Sequence, residues 1–186
     1  DDLLEMIPRQ RTNDVIYFNP GERSRVVGIN LLEAVPVEGR PLVVSALISI
    51  LKNAWPDNWG PRTEFILSNA AFALMEQPQP VTLLALPKLL TEEQYRQRTL
   101  QFVTDPAVKW FFRMYDQDWN QRFREEAIAP LLNKISKFTT NPLLRMVIGQ
   151  PRSGFDFRWL MDHHKILLCN LSKGAMGEDV SSLLGS

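Results

Sequence analysis

Apolar positions in this chain come in short blocks separated by proline, glycine and acidic residues, and the period within the blocks changes along the sequence. Residues 1–7 read as helix stopped by Pro8, with Arg9, Gln10 and Arg11 exposed. Asp14-Val15-Ile16-Tyr17-Phe18 is β-branched and aromatic, closed by Asn19-Pro20-Gly21, and predicts a strand. Residues 22–39 read as loop, with Val26-Val27 and Ile29-Asn30-Leu31-Leu32 as a short extended segment at a sheet edge. From Pro41 the pattern turns helical. Leu42 to Lys52 is apolar almost all round, which predicts a core helix. A turn anchored by Trp55 and Trp59 leads to Pro61, where a second helix starts with Ile66, Ala70, Ala73 and Leu74 on one stripe.

Helices continue beyond the prolines at 78 and 80. Residues 81–90, interrupted by Pro87, predict a turn and a short helix. Thr91-Glu92-Glu93-Gln94 has the form of a capping box, with Tyr95, Leu100, Phe102 and Val103 facing inward behind it. Asp105-Pro106 gives a cap followed by proline, and Val108, Phe111, Phe112 and Tyr115 make the next apolar face. A long helix is expected from about 118 to 139, with Trp119, Phe123, Ala127, Leu131, Ile135 and Phe138 inward and a kink at Pro130. Asn141-Pro142 caps a short helix closed by Gly149, and a turn or two of helix follows at 156–161. Ile166-Leu167-Leu168-Cys169 then predicts a strand buried on both faces, followed by a glycine-containing turn and a helical stripe of Val180, Leu183 and Leu184.

The fold class that results is mainly α, an all-helical bundle lying between two strands of a partial α/β sheet. Two strands cannot make a stable sheet alone, whereas the helical block can supply its own core. The chain opens within one helical pattern, without an initiator methionine, and stops within another, so a piece of a larger protein is expected.

The 186 residues are 45% hydrophobic, enough for a sizeable core. Lys+Arg and Asp+Glu are both 21, so there is no net charge to draw the whole chain to nucleic acid or an anionic membrane. The single cysteine, Cys169, excludes an internal disulfide, and its apolar neighbours place it in the core. No apolar run reaches the length of a membrane span.

The candidate chemistry is thin. Ser172-Lys173-Gly174 follows a strand, but a phosphate loop requires its lysine after the second glycine, and here the lysine precedes both. The strand ends in Asn170 rather than the acidic pair that holds magnesium. His163 and His164, adjacent on a strand, would point to opposite faces, and no third ligand accompanies them for zinc. Neither Ser153 nor Ser172 has a histidine at a spacing suited to nucleophilic catalysis. Arg96, Arg98, Lys109, Arg113, Arg122, Arg124, Lys134 and Lys137 alternate with acids, as on solvated helical faces. The competing reading is a contact surface for DNA or protein, with Arg113, Arg122 and Arg124 as its charges and Trp110 and Trp119 as its anchors.

Six segments in order resemble a known family: Asp14 to Pro20, Gly28-Ile29-Asn30, Trp59-Gly60-Pro61-Arg62, Ile128 to Lys134, Gly149-Gln150-Pro151-Arg152-Ser153 and Ile166 to Gly177. The family is the type IV secretion and conjugative coupling proteins, DNA-translocating ATPases of the FtsK/HerA class. The resemblance implies that 40–149 is the family's all-α domain, engaging a relaxase–DNA complex or a secreted effector at the cytoplasmic mouth of a hexameric motor. Residues 1–39 and 150–186 would be pieces of the RecA-like motor. It further implies a parent protein that uses ATP and magnesium and is associated with the inner membrane. The chain itself carries neither of the two main nucleotide motifs, so no cofactor and no ATP hydrolysis are expected of it. Under the same resemblance the loops at Asn19-Pro20 and Ser172-Lys173-Gly174 would lie toward the nucleotide or pore side. Direct DNA binding by the helical block is the alternative function, and an unrelated α/β enzyme using the Ser172-Lys173 turn is a third.

Overall fold

The computed structural model describes residues 2–22, 24–33, 35–57, 59–172, 181 and 185. Lys173, Gly174 and the expected helix at Val180, Leu183 and Leu184 lie outside the described residues. The order of elements is α1 (Asp2–Glu5), β1 (Val15–Phe18), α2 (Arg40–Ala54), α3 (Pro61–Met75), α4 (Leu86–Thr91), α5 (Glu93–Leu100), α6 (Pro106–Arg113), α7 (Gln121–Thr140), α8 (Pro142–Ile148), α9 (Phe157–Asp162) and β2 (Ile166–Cys169). The protein is mainly helical, and its described strands form one small sheet. β1 and β2 pair in parallel, Val15 opposite Ile166 and Phe18 opposite Cys169. Every helix from α2 to α9 lies in sequence between these two neighbours.

Helix α3 is the hub of the bundle, packing against α2, α4, α5, α6 and α7. The reason is in its composition. Ala70, Ala71 and Ala73 are fully buried, and their small side chains let several helices approach at once. Ile66 and Leu67 fill the remaining space at 0% exposure, each worth about 1.5–3 kcal/mol of burial. The stripe expected on α3 is therefore present, and burial extends beyond it to Thr63, Asn69 and Met75.

The starts of the helices follow their side chains. Asp105 Oδ1 accepts the Ala107 amide at 2.8 Å, Asn120 Oδ1 accepts that of Phe123 at 2.9 Å, and Asn141 Oδ1 accepts those of Leu143 and Leu144 at 2.9 and 3.2 Å. The capping box at Thr91 does not form. Thr91 ends α4, its hydroxyl donating to the Pro87 carbonyl at 2.9 Å, and Glu92 precedes α5 without capping it through its side chain. Between α6 and α7 the chain makes one turn of π-helix, Met114–Asp118, so the long helix starts at Gln121 rather than near 118. It then runs through Pro130 to Thr140.

Several further expectations are corrected. Helix α2 buries one face only, through Val44, Leu47 and Leu51, while Leu42 is 75% exposed. Its apolar character all round does not mean burial all round, because α3 covers one side. Phe102 is exposed beyond the end of α5, whose buried positions are Arg96 and Thr99. Residues 26–32 form no strand; they run as irregular chain held by hydrogen bonds to α8 and the loop after it. Strand β2 is half-buried at Ile166, Leu167 and Leu168, and Cys169 is exposed rather than in the core. The two histidines lie in the turn after α9, not on a strand. His163 stacks on Trp159 at 4.4 Å, and His164 adopts a left-handed φ of 51°. Its carbonyl accepts from Arg11, which fixes that turn beside the start of β1.

Candidate functional site

Two of the singled-out motifs, Gly28-Ile29-Asn30 and Gly149 to Ser153, meet in space although about 120 residues separate them. Asn30 is the centre of the junction, only 5% exposed. Its Nδ2 donates to the carbonyls of Val81 and Pro151 at 3.0 and 2.9 Å, and its Oδ1 accepts the Leu32 amide at 2.9 Å. The Asn30 amide donates to Ser153 Oγ at 3.1 Å, and the Ser153 amide donates to Glu33 Oε1 at 3.3 Å. Ile29 donates to the Val147 carbonyl, and Gly154 to that of Gly28. A buried amide with all these partners fixes the path of two loops that have no regular structure of their own.

Packing closes the same junction. A Cβ on Gly28 would sit 2.5 Å from Gln150 Cβ, and one on Gly154 would sit 2.5 Å from Val27 Cγ1. Glycine is required at both places for the close approach of the loops. Phe18, at the end of β1, meets Phe155 edge to face at 5.5 Å, and Phe155 meets Phe157 at 5.0 Å. The sheet is thereby joined to the junction through a line of rings.

Beside the junction lies a cleft of about 700 Å³. Its floor is apolar: Val43, Ala46 and Ile50 from α2, Ile29, Leu31, Val35 and Phe155 from the loops, and Phe157 from the start of α9. The charged residues that line it are Glu33 and Asp156. Asp156 Oδ1 caps α9, accepting the Arg158 and Trp159 amides at 2.8 and 3.1 Å. The Ser153 hydroxyl serves the Asn30 backbone, and no histidine or cysteine lines the cleft. This arrangement suits binding of an apolar group beside a cation.

The charged positions of the helical block separate into two kinds. Arg96 is buried, pairing with Asp116 at 2.8 Å, donating to the Leu89 and Leu90 carbonyls, and lying 5.2 Å over the Tyr115 ring. Burial pushes the Tyr115 phenol above its usual pKa, which keeps it the neutral donor to the Leu90 carbonyl at 2.7 Å. Lys134 is buried as well, donating to the Asp57 carbonyl at 2.7 Å beside Trp59. Neither belongs to a solvated face; the helix period cannot show that distant segments of the chain cover them.

Of the candidate contact residues, Arg124 turns inward toward Asp116 at 3.7 Å and Tyr115 at 5.8 Å. Trp119 packs among Phe111, Tyr115 and Phe123. Arg113 and Arg122 face solvent, Arg122 paired with Glu126 on the next turn at 3.0 Å. Two of the four thus face solvent, and two pack against the aromatic cluster of Tyr115 and Phe123. Ser172 is exposed, its amide donating to Asn170 Oδ1 at 3.3 Å. Among the described residues no group of three His, Cys, Asp or Glu side chains is placed to hold a metal, and no helix is long and apolar enough to cross a membrane. The sequence signal for the cleft was partial: Asn30 and Ser153 stood within singled-out motifs, whereas Glu33 and Phe155 carried none.

No protein-family model, curated protein or solved structure matches the chain.

Proposed function

We propose that this chain is the substrate-recruiting all-α part of a conjugative or type IV secretion coupling ATPase, contacting a relaxase–DNA complex or a secreted effector. The observation that carries the reading is the parallel pairing of β1 with β2 around the helical block. A helical excursion that leaves a sheet at one strand and returns at its neighbour has the form of a domain inserted into an α/β motor. On this reading 1–39 and 150–186 belong to a RecA-like sheet whose other strands lie in the rest of the parent protein. ATP and magnesium are bound there, in a hexameric ring associated with the inner membrane and facing the cytoplasm. Catalysis belongs to the parent, and the chain contributes recognition.

The test is capture of purified relaxase, relaxase–DNA complex or effector from the parent system by the 186-residue chain. Retention at roughly micromolar concentration, about 8 kcal/mol of binding, is expected, and no retention overturns the reading.

Direct DNA binding is the second reading, favoured by the outward-facing Arg113 and Arg122. A salt titration separates the two, because phosphate contacts make affinity fall steeply as salt rises. Absence of DNA binding at low salt eliminates it.

A further inference from the structure

We infer that the cleft beside α2 is a docking groove for a peptide segment of a partner protein, one that presents bulky apolar side chains flanked by lysine or arginine. The inference rests on the recruitment reading, for which it names the recognition chemistry. Three observations support it, each from a different property of the groove.

The first is a partly open apolar wall. Val43, Ala46 and Ile50 line the groove from α2, Ala46 exposed and Val43 and Ile50 half-buried against the core. Phe157 faces the same space from the other wall and is 53% exposed. Large apolar side chains left open together at a concave site mark a binding surface.

The second is rigidity. The walls are fixed by the buried Asn30 and its partners Val81, Pro151 and Ser153, so the groove exists before anything enters it. A preformed site avoids the entropic cost of ordering loops on binding.

The third is charge. Both charged lining residues are acidic, and the hydrogen bonds they make use one oxygen of each: Glu33 Oε1 and Asp156 Oδ1. Their second oxygens make no hydrogen bond among the described residues and can receive a cation. Two carboxylates at an apolar groove repel a phosphate backbone or an anionic lipid surface and attract lysine or arginine. A basic, apolar peptide fits all three properties.

The test uses the full 186-residue chain and three labelled synthetic peptides of equal length: one alternating lysine with leucine and phenylalanine, one with glutamate in place of lysine, and one with serine in place of the apolar residues. Fluorescence anisotropy at low salt is expected to show binding of the first alone. Glu33→Gln and Asp156→Asn keep the loop and cap hydrogen bonds while removing charge. Together they are expected to weaken the lysine peptide roughly two- to thirtyfold, the range for two exposed ion pairs. Ala46→Trp, which fills the groove from an exposed helical position, is expected to abolish binding with the far-ultraviolet circular dichroism unchanged. Equal binding of the glutamate peptide, or binding that survives Ala46→Trp, overturns the proposal. Capture of relaxase or effector undiminished by Ala46→Trp also overturns the groove as the docking place but leaves recruitment standing. Peptide binding without any such capture overturns recruitment and leaves the groove.

Discussion

Arg96 and Asp116 meet at 2.8 Å, and the arginine side chain is only 4% exposed. The pair joins α5 to the π-helical turn, and the same guanidinium satisfies two carbonyls at the end of α4. Three elements are fixed by one side chain. Truncating the aspartate leaves a buried guanidinium without its counter-ion, which is far more costly than losing an exposed pair. Asp116→Ala is expected to destabilise the protein by about 3 kcal/mol, the lower end of the range for buried pairs, because the carboxylate is 19% exposed. Glu126→Ala, which breaks the exposed pair with Arg122, should cost less than about 0.5 kcal/mol. Urea unfolding of both variants checks this; equal midpoints would refute it.

Asn30 supports the groove in a different way, by hydrogen bonds without charge. Asn30→Leu keeps similar volume but strands the Val81 and Pro151 carbonyls and the Leu32 amide. Leaving buried polar groups unsatisfied costs about 1–3 kcal/mol each, less where water reaches them, so a loss of about 3 kcal/mol in total is expected. Hydrogen exchange should show the Leu32 amide losing protection more than amides in α3. Uniform loss across the protein would contradict a local role.

Sequence and structure agree where a residue acts on its own neighbours. The caps Asp105 and Asn141 bond amides two or three residues on, and the apolar face of α6 is continuous in sequence. They diverge wherever a distant segment decides. Nothing local to Arg96 or Lys134 announces that other chain segments cover them. The apolar positions of α2 depart from expectation, because α3 packs on one side of that helix and leaves Leu42 exposed. The groove was half legible: both of its motifs were visible, but a contact between Asn30 and Ser153 has no sequence period.

The sheet has its own electrostatic clasp. Asp14, just before β1, receives Lys165 Nζ at 2.7 Å and Arg11 Nε at 3.3 Å. The lysine hydrogen bond, then the arginine one, holds the Asp14 carboxyl below its ordinary pKa of 3.8. A depressed carboxylate stabilises the fold fully above that ordinary value, and the contribution disappears as pH falls through the lower folded value. The stability difference between the protein and its Asp14→Asn variant should therefore be constant near neutrality and shrink below pH 3.8. Urea midpoints measured across that range check it, and a difference independent of pH would show that the clasp is not ionic.

Adjacent aromatic residues in α6 have opposite roles. Phe111 is fully buried and meets Phe65, Phe112 and Trp119 edge to face at 5.1, 4.9 and 6.2 Å, whereas Trp110 is 56% exposed. Phe111→Ala should cost about 3–5 kcal/mol through lost burial and the cavity it leaves, and Trp110→Ala less than about 0.5 kcal/mol. Trp119 falls between them, packed on Phe123 at 4.8 Å and half-buried. Trp119→Ala removes core contacts, so any loss of partner or DNA binding in that variant reports on folding as much as on contact. Arg113 and Arg122 have no such role in the core. Their alanine variants should unfold at the wild-type urea concentration, and only there does a binding change identify the surface that meets DNA or protein.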